Sequence, residues 1–161
     1  MRIGAIAALC VAVAGCAGDR GQRGGETITY VHHGPGMLCT SCANYTVTLG
    51  PDGQGIFMGE GFAAVQGERR FRATPEQVRR FTARLRPYRP KGERLFVSGG
   101  ICHEYRGTHG MMVDVTWHAA LGPSSHLRYQ TNCDPDRNRK MASALFAAPG
   151  VLPLADLIGQ H

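Results

Sequence analysis

Hydrophobic and polar positions alternate along several short segments, which is the pattern of half-buried β-strands. The first segment is TITYVHH at 27–33, and the second is NYTVTL at 44–49, whose tyrosine, valine and leucine share one face. The turn sequence GPDGQG at 50–55 contains an Asp-Gly pair that suits a tight hairpin. The segment IFMGEGFAAV at 56–65 is therefore predicted to be the return strand, and its glycines indicate a bulge or bend.

The second half of the chain repeats this alternation. MMVDVTWH at 111–118 places a methionine, two valines and the tryptophan on one face, and HLRYQT at 126–131 does the same with leucine, tyrosine and threonine. The seven residues AALGPSS between the two segments read as a hairpin loop. This region therefore predicts a second antiparallel strand pair.

Two segments have the spacing and start signals of helices. The segment 74–90 opens with Thr74 as N-cap, a proline next and Gln77 at the capping-box position, and it is predicted to end before Pro87. The segment 134–150 opens with Asp134 as the predicted N-cap and ends at a Pro-Gly pair. The predicted buried positions of the two helices are Val78, Phe81, Leu85, Met141, Leu145 and Ala148.

The order of elements is strands, helix, strands, helix, followed by an apolar tail at 151–159 that we expect to dock on the core. Short turns join the strands within each pair. The sequence therefore predicts an α+β fold, with an antiparallel sheet built from β-hairpins and two main helices packed on one face.

The first residues read as a targeting segment rather than as part of the fold. MRIGAIAALCVAVAGC has one basic residue, an apolar run too short for the about 20 residues that span a bilayer, and small residues directly before Cys16. This ending resembles the bacterial lipobox, which implies lipidation of Cys16; the alternative is a plain signal peptide with an incidental cysteine. The predicted organisation is a lipoprotein signal peptide at 1–15, a flexible Gly/Arg-rich tether at 16–26 and a single α+β domain at 27–161.

Location and partners follow from this leader and from the charge. Ala17 stands where inner-membrane retention signals usually carry aspartate, so the expected location is the outer membrane, facing the periplasm. The formal net charge is +6 and the predicted leader removes one positive charge, at Arg2. This charge is consistent with attraction to an envelope protein, anionic lipid or cell-wall polymer, or with an ordinary soluble surface that includes ERRFR at 68–72. The sequence has no basic stripe interleaved with aromatic residues, so we do not expect nucleic acid as a partner.

Four cysteines lie outside the leader, at Cys39, Cys42, Cys102 and Cys133. An even number in an exported domain favours disulfides, although four cysteines allow three pairings. A Cys102–Cys133 bridge would tie the long loop 98–110 to a strand end and stabilise the fold by roughly 3 to 4 kcal/mol. Cys39 would then pair with Cys42 across two intervening residues, as a tight and more reducible bridge.

Two chemical alternatives for the CTSC pair stay open. A reactive Cys-x-x-Cys normally begins a helix, whereas here a strand follows, which weakens a thiol-redox role. Copper or zinc could instead be held by Cys39 and Cys42 with His32 or His103. No nucleophile motif or carboxylate pair indicates catalysis. We therefore predict a non-enzymatic binding or structural protein without a cofactor.

The stretch CTSCANYTVTLGPDGQGIFMGEGFAAVQGERRFRATPEQ is similar to a bacterial family defined as a domain of unknown function. Cys39, Cys42 and Tyr45 match its cysteine-cysteine-tyrosine motif, and Gly53 matches its Asp-Gly turn. The resemblance implies an exported, often lipidated protein and brings no activity. The family spacing is Cys-x-x-x-Cys-Pro, whereas this chain has Cys-x-x-Cys-Ala, so the resemblance implies a tighter cysteine pair here.

Overall fold

A computed structural model describes residues 25–35, 42–107 and 110–159 of the chain. Strands and helices share this part of the chain, which confirms the α+β class. The strands are β1 (Thr27–His33), β2 (Tyr45–Leu49), β3 (Gln54–Gly59), β4 (Gly67–Arg72), β5 (Glu93–Phe96), β6 (Met112–His118) and β7 (Ser125–Gln130). The helices are α1 (Pro75–Leu85), α2 (Arg139–Ala147) and α3 (Ala155–Ile158).

The strands form one seven-stranded sheet in the order β4-β3-β2-β1-β6-β7-β5. Five of the six neighbouring pairs are antiparallel, but β5 runs parallel to β7. The predicted antiparallel sheet is therefore confirmed in part: the sheet is mostly antiparallel, and the parallel β5 makes it mixed. The reason is that β5 does not pair with β6, the strand that follows it in sequence, but joins the far side of the β6–β7 hairpin.

The predicted return strand at 56–65 is only partly correct. Strand β3 ends at Gly59, and after a turn at residues 60–66 the chain returns as β4, which sequence analysis had treated as a solvated charge run. A Cβ atom at Gly59 would lie 1.8 Å from the Val65 carbonyl oxygen, so only glycine permits this close return. Strand β4 was not predicted, because its mostly charged residues lie on an exposed sheet edge. Little burial there means little alternation of hydrophobic and polar residues in the sequence.

Helix α1 confirms its predicted start and end. The Thr74 hydroxyl accepts a hydrogen bond from the Gln77 backbone N–H, and the Gln77 side chain accepts one from the Thr74 N–H, which completes the capping box. The helix ends at Leu85, and a 3-10 turn at Arg86–Tyr88 carries the chain past Pro87. Local sequence signals therefore sufficed for this element.

Helix α2 begins later than predicted, which is a correction. Its first residue is Arg139 and its N-cap is Asn138, so Asp134 is not the cap. Asp134 has a backbone φ of +43°, and its carboxylate bonds to a different segment of the chain. Tertiary hydrogen bonds thus replace the local cap that the sequence suggested.

Both longer helices cover the same face of the sheet. The Phe81 ring of α1 meets the Tyr30 ring of β1 edge-on at 6.3 Å between centroids. The Tyr30 hydroxyl donates a hydrogen bond to the Leu145 carbonyl of α2, at 3.2 Å. The largest fully buried side chains in this layer are Trp117, Tyr30, Tyr129, Phe57, Phe81, Leu85, Leu127, Leu145 and Leu154.

The apolar tail closes the core as expected. Leu152 and Leu154 are buried, and the carbonyls of α3 accept hydrogen bonds from the backbone of the turn that precedes β4. Within the three described ranges, no helix is both long and apolar enough to cross a membrane.

Candidate functional site

A cleft of about 1190 Å³ opens beside the edge strand β5. Its walls are β5, the loop at 100–103 and the turn at 134–138, and we call it the basic cleft. The residues lining it are Pro90, Lys91, Gly92, Glu93, Arg94, Leu95, Phe96, Gly100, Ile101, Cys102, His103, Asp134, Arg137 and Asn138.

A disulfide fixes one wall of the basic cleft. Cys102 is bonded to Cys133 with 5.3 Å between their Cα atoms, the pairing that the sequence analysis expected. Cys133 is fully buried, and Tyr105 forms an isolated β-bridge with it. The Arg106 backbone N–H also donates to the Asn132 carbonyl at 2.9 Å. The loop is thus held against the end of β7 by both covalent and backbone bonds.

Asp134 reinforces the same wall. Its two carboxylate oxygens accept hydrogen bonds from the backbone N–H groups of His103, at 3.0 Å, and Glu104, at 2.8 Å. The bond from the His103 N–H, followed by that from Glu104, holds the pKa of Asp134 below its ordinary value of 3.8. The carboxylate thereby holds the loop in place, and its negative charge also interacts with the nearby Arg137 guanidinium.

Three exposed cations line the basic cleft: Lys91, Arg94 and Arg137. None of the three forms an ion pair with a carboxylate in the part of the chain that the structure describes. The Arg94 guanidinium instead lies 5.3 Å from the centroid of the Phe96 ring. The other carboxylate in the lining, Glu93, contacts the His126 ring. The three cations outnumber the two carboxylates in the lining, so the cleft has a net positive charge.

A polar cluster lies behind β5, on the sheet face opposite the helices. The two ring nitrogens of His126 lie 3.0 Å from a Glu93 oxygen and 2.8 Å from an Asp114 oxygen, and Arg128 donates to the same Asp114 oxygen at 2.7 Å. Partial burial lowers the pKa of His126, but the hydrogen bonds to Glu93 and Asp114 outweigh that effect and raise it above 6.5. This cluster orients the Glu93 side chain.

The structure places only some of the sequence-predicted site residues. Cys16 and Cys39 lie outside the described residues, so lipidation of Cys16 and a Cys39–Cys42 disulfide stay predictions. Cys42 is itself disulfide-bonded. His103 lies in the basic cleft beside Asp134.

The predicted metal ligand His32 has a packing role in the fold. Its Nδ1 atom is 2.8 Å from the Ala43 carbonyl, and its ring stacks on Tyr45 at 5.1 Å and meets Phe146 edge-on. Among the described residues, one group of three potential metal ligands has its donor atoms close together, namely Cys102, Cys133 and Asp134. Because its two sulfurs are bonded to each other, this group offers no thiolate while oxidised.

Sequence reasoning missed the basic cleft itself. Strand β5 has four residues, too few to show a period, and its partner β7 lies about thirty positions further along the chain. The one available signal was the cluster of Lys91 and Arg94 near a glycine, which has no specificity on its own. Arg137 reaches the same cleft only through the turn that Asp134 organises.

Comparison of the chain with protein-family models finds no match, and comparisons with curated proteins and with solved structures find none either. The resemblance to a bacterial family of unknown function therefore stays a prediction.

Proposed function

We propose that this protein is a lipid-anchored, non-enzymatic domain of the bacterial outer membrane that faces the periplasm and binds an anionic envelope polymer in the basic cleft. The observation that carries the proposal is the set of three exposed cations, Lys91, Arg94 and Arg137, around a cleft with two carboxylates, each of which is hydrogen-bonded within the protein. The lipobox-like sequence before Cys16 supports the anchor.

The rigidity of the cleft supports a binding role. The Cys102–Cys133 disulfide and the Asp134 hydrogen bonds hold the loop wall in place before any ligand arrives. A preformed wall reduces the conformational entropy that is lost when a ligand binds. Converging cations attract carboxylate or phosphate groups over a distance comparable with the Debye length, about 8 Å at physiological salt. We therefore expect binding that weakens steeply as salt is added.

A charge-matched pair of variants tests this proposal. The cleft variant carries Lys91→Gln, Arg94→Gln and Arg137→Gln, and the control variant carries Arg69→Gln, Arg70→Gln and Arg80→Gln at exposed positions of β4 and α1. Binding of solubilised peptidoglycan fragments and of polyphosphate is measured by titration calorimetry at low and physiological salt. We expect the cleft variant to lose about tenfold or more in affinity and most of its salt dependence, while the control stays near the wild type.

Equal losses in the two variants would show that total charge, and not the cleft, controls binding. A wild-type protein that binds neither probe would overturn the anionic-polymer proposal.

The anchor has a separate test. Cys16→Ser should release the protein from the membrane fraction and remove the acyl mass from the mature chain. A variant that stays with the membrane would contradict lipidation at Cys16.

Mass spectrometry with and without reductant, together with metal analysis of the exported protein, tests the alternative metal or thiol-redox role of Cys39 and Cys42. Bound metal or free thiols at that pair would favour this alternative.

A further inference from the structure

The described chain begins at one particular end of the sheet. Thr27, the first residue of β1, pairs with His118, the last residue of β6. Just before it, Glu26 forms an ion pair with Arg89 at 2.6 Å, and Gly25 packs closely against Pro51 in the β2–β3 turn. These contacts fix where the chain leaves the domain, and we call this the tether end.

The distance between the tether end and the predicted lipid is short. Cys16 precedes Gly25 by nine residues. Nine residues span at most about 30 Å when fully extended. A lipid on Cys16 therefore keeps the tether end close to the bilayer.

The β6–β7 hairpin loop, residues 119–124, projects from the same end. It begins directly after His118 and contains no charged residue. At its apex Leu121 is 95 % exposed, the most exposed of the large apolar side chains that the structure describes. Gly122, with a φ of +99°, makes the turn that presents this leucine. An uncharged loop with an exposed leucine is unfavourable in water and suited to a lipid interface.

Two cations lie at the tether end, one toward each edge of the sheet. Lys91 lies in the segment that leads into β5, whose first residue, Glu93, pairs in register with His126 near the start of β7. Arg72 ends β4 opposite Gln54, next to the β2–β3 turn. Both side chains are exposed and suited to lipid phosphate groups, while the exposed Asp52 in the β2–β3 turn adds a negative charge at the same end.

From this arrangement we propose that the tether end docks on the phospholipid surface, with the Leu121 side chain inserted into the bilayer interface. The inference rests on the proposed lipid anchor. A single leucine partitions too weakly to hold a free protein on a membrane, but a lipid tether raises its effective concentration at the surface. Docking fixes the orientation of the domain and directs the opposite end of the sheet, with the turn at 60–66, into the periplasm.

Tryptophan fluorescence tests the orientation, because the chain has one native tryptophan, Trp117, which is buried and gives a constant background. Leu121→Trp is the probe variant. Phe62→Trp is the matched control, since Phe62 is also an exposed apolar residue but lies beyond the far end of β3. The lipidated full-length proteins are reconstituted into vesicles of phosphatidylethanolamine and phosphatidylglycerol, with or without brominated acyl chains.

We expect the emission of the Leu121→Trp protein to shift to the blue on reconstitution and to be quenched by the brominated lipid, whereas the Phe62→Trp protein shows neither effect. Equal quenching of the two variants would overturn the proposed orientation. A blue shift at position 121 without lipid quenching would show that another protein copy covers the loop, and would also overturn it.

The acyl mass of the reconstituted protein separates this inference from the proposed anchor. If the acyl mass is absent, the anchor and the docking proposal both fail. If the acyl mass is present and position 121 is not quenched, docking alone fails and the anchor stands.

Discussion

At the scale of single residues, the Asp134 carboxylate organises one wall of the basic cleft. It accepts backbone hydrogen bonds from His103 and Glu104, which lie about thirty positions earlier in the chain. These two N–H groups belong to a loop without regular structure, so no helix or sheet supplies their hydrogen-bond acceptors. A side-chain acceptor therefore provides the order that secondary structure does not provide there.

The first prediction concerns Asp134→Asn. We expect a lower melting temperature at neutral pH, because an amide replaces one charged acceptor oxygen with a donor that faces a backbone N–H. The pKa of Asp134 is lower in the folded state, so its stabilisation is complete above the ordinary value of 3.8 and is lost as the pH falls through the folded pKa. Thermal denaturation at neutral pH and at a series of pH values below 3.8 measures this difference.

Asp136→Asn is the matched control, because the Asp136 carboxylate is exposed and its hydrogen bonds within the described residues come from the side chains of Arg106 and Arg139, with none from backbone N–H groups. If Asp136→Asn lowers the melting temperature as much as Asp134→Asn does, the assigned role of Asp134 is contradicted.

At the scale of elements, the attachment of β5 is the least regular part of the sheet. This strand has four residues and lies parallel to β7 at the sheet edge. A side-chain bridge supplements its backbone pairing, since His126 of β7 contacts Glu93 of β5 and Asp114 of β6. Two carboxylates face the two ring nitrogens, so both contacts are hydrogen bonds only while the imidazole is doubly protonated.

The second prediction concerns His126→Asn. Because its pKa is raised in the folded protein, His126 stabilises the fold fully below its unfolded value near 6.5, and this contribution is lost as the pH rises through the folded pKa. The variant should therefore be less stable than the wild type in urea at about pH 5.5, and nearly equal to it at about pH 8.5. Hydrogen exchange of the β5 amides should be faster in the variant at the lower pH.

His118→Asn serves as the control, because the His118 side chain is exposed and, among the described residues, hydrogen-bonds to the Thr29 hydroxyl. A stability difference at His126 that does not change with pH would show that packing, and not charge, holds β5 in place.

At the scale of the whole molecule, the Cys102–Cys133 disulfide joins the loop after β5 to the chain after β7. It closes a loop with a sequence separation of 31 residues, which includes β6 and β7. In the chain-entropy account, such a crosslink stabilises the folded state by restricting the unfolded ensemble. The same bond holds the cleft wall, so we expect stability and the proposed ligand binding to depend on it together.

The third prediction follows from this topology. Replacing Cys102 and Cys133 together with alanine should lower the free energy of unfolding by roughly 3 to 4 kcal/mol. It should also weaken binding of the anionic probe, because the wall of the basic cleft loses its crosslink. Cys42→Ala should cost less stability, since the predicted partner Cys39 is only three positions away. Urea unfolding of the two variants measures which of them loses more stability. Equal or reversed shifts of the unfolding midpoint would contradict the prediction.

Much of the fold was readable from local patterns. The alternation in β1, β2, β6 and β7 and the capping box of α1 depend on neighbouring residues alone, and the structure confirms them. Strands β4 and β5 were not predicted, because edge strands need little burial and their residues show little alternation. The start of α2 was placed too early, because Asp134 has a partner that is distant in sequence.

The sequence by itself determined the α+β class, the core-facing strand residues and the start and end of α1, since these depend on short-range periodicity and capping. Only the tertiary structure decided the parallel placement of β5, the role of Asp134 and the convergence of Lys91, Arg94 and Arg137 on one cleft. Each of these depends on contacts between segments that are far apart in the chain. Such contacts form only when the strands and helices pack into the complete fold, and no local sequence pattern encodes them.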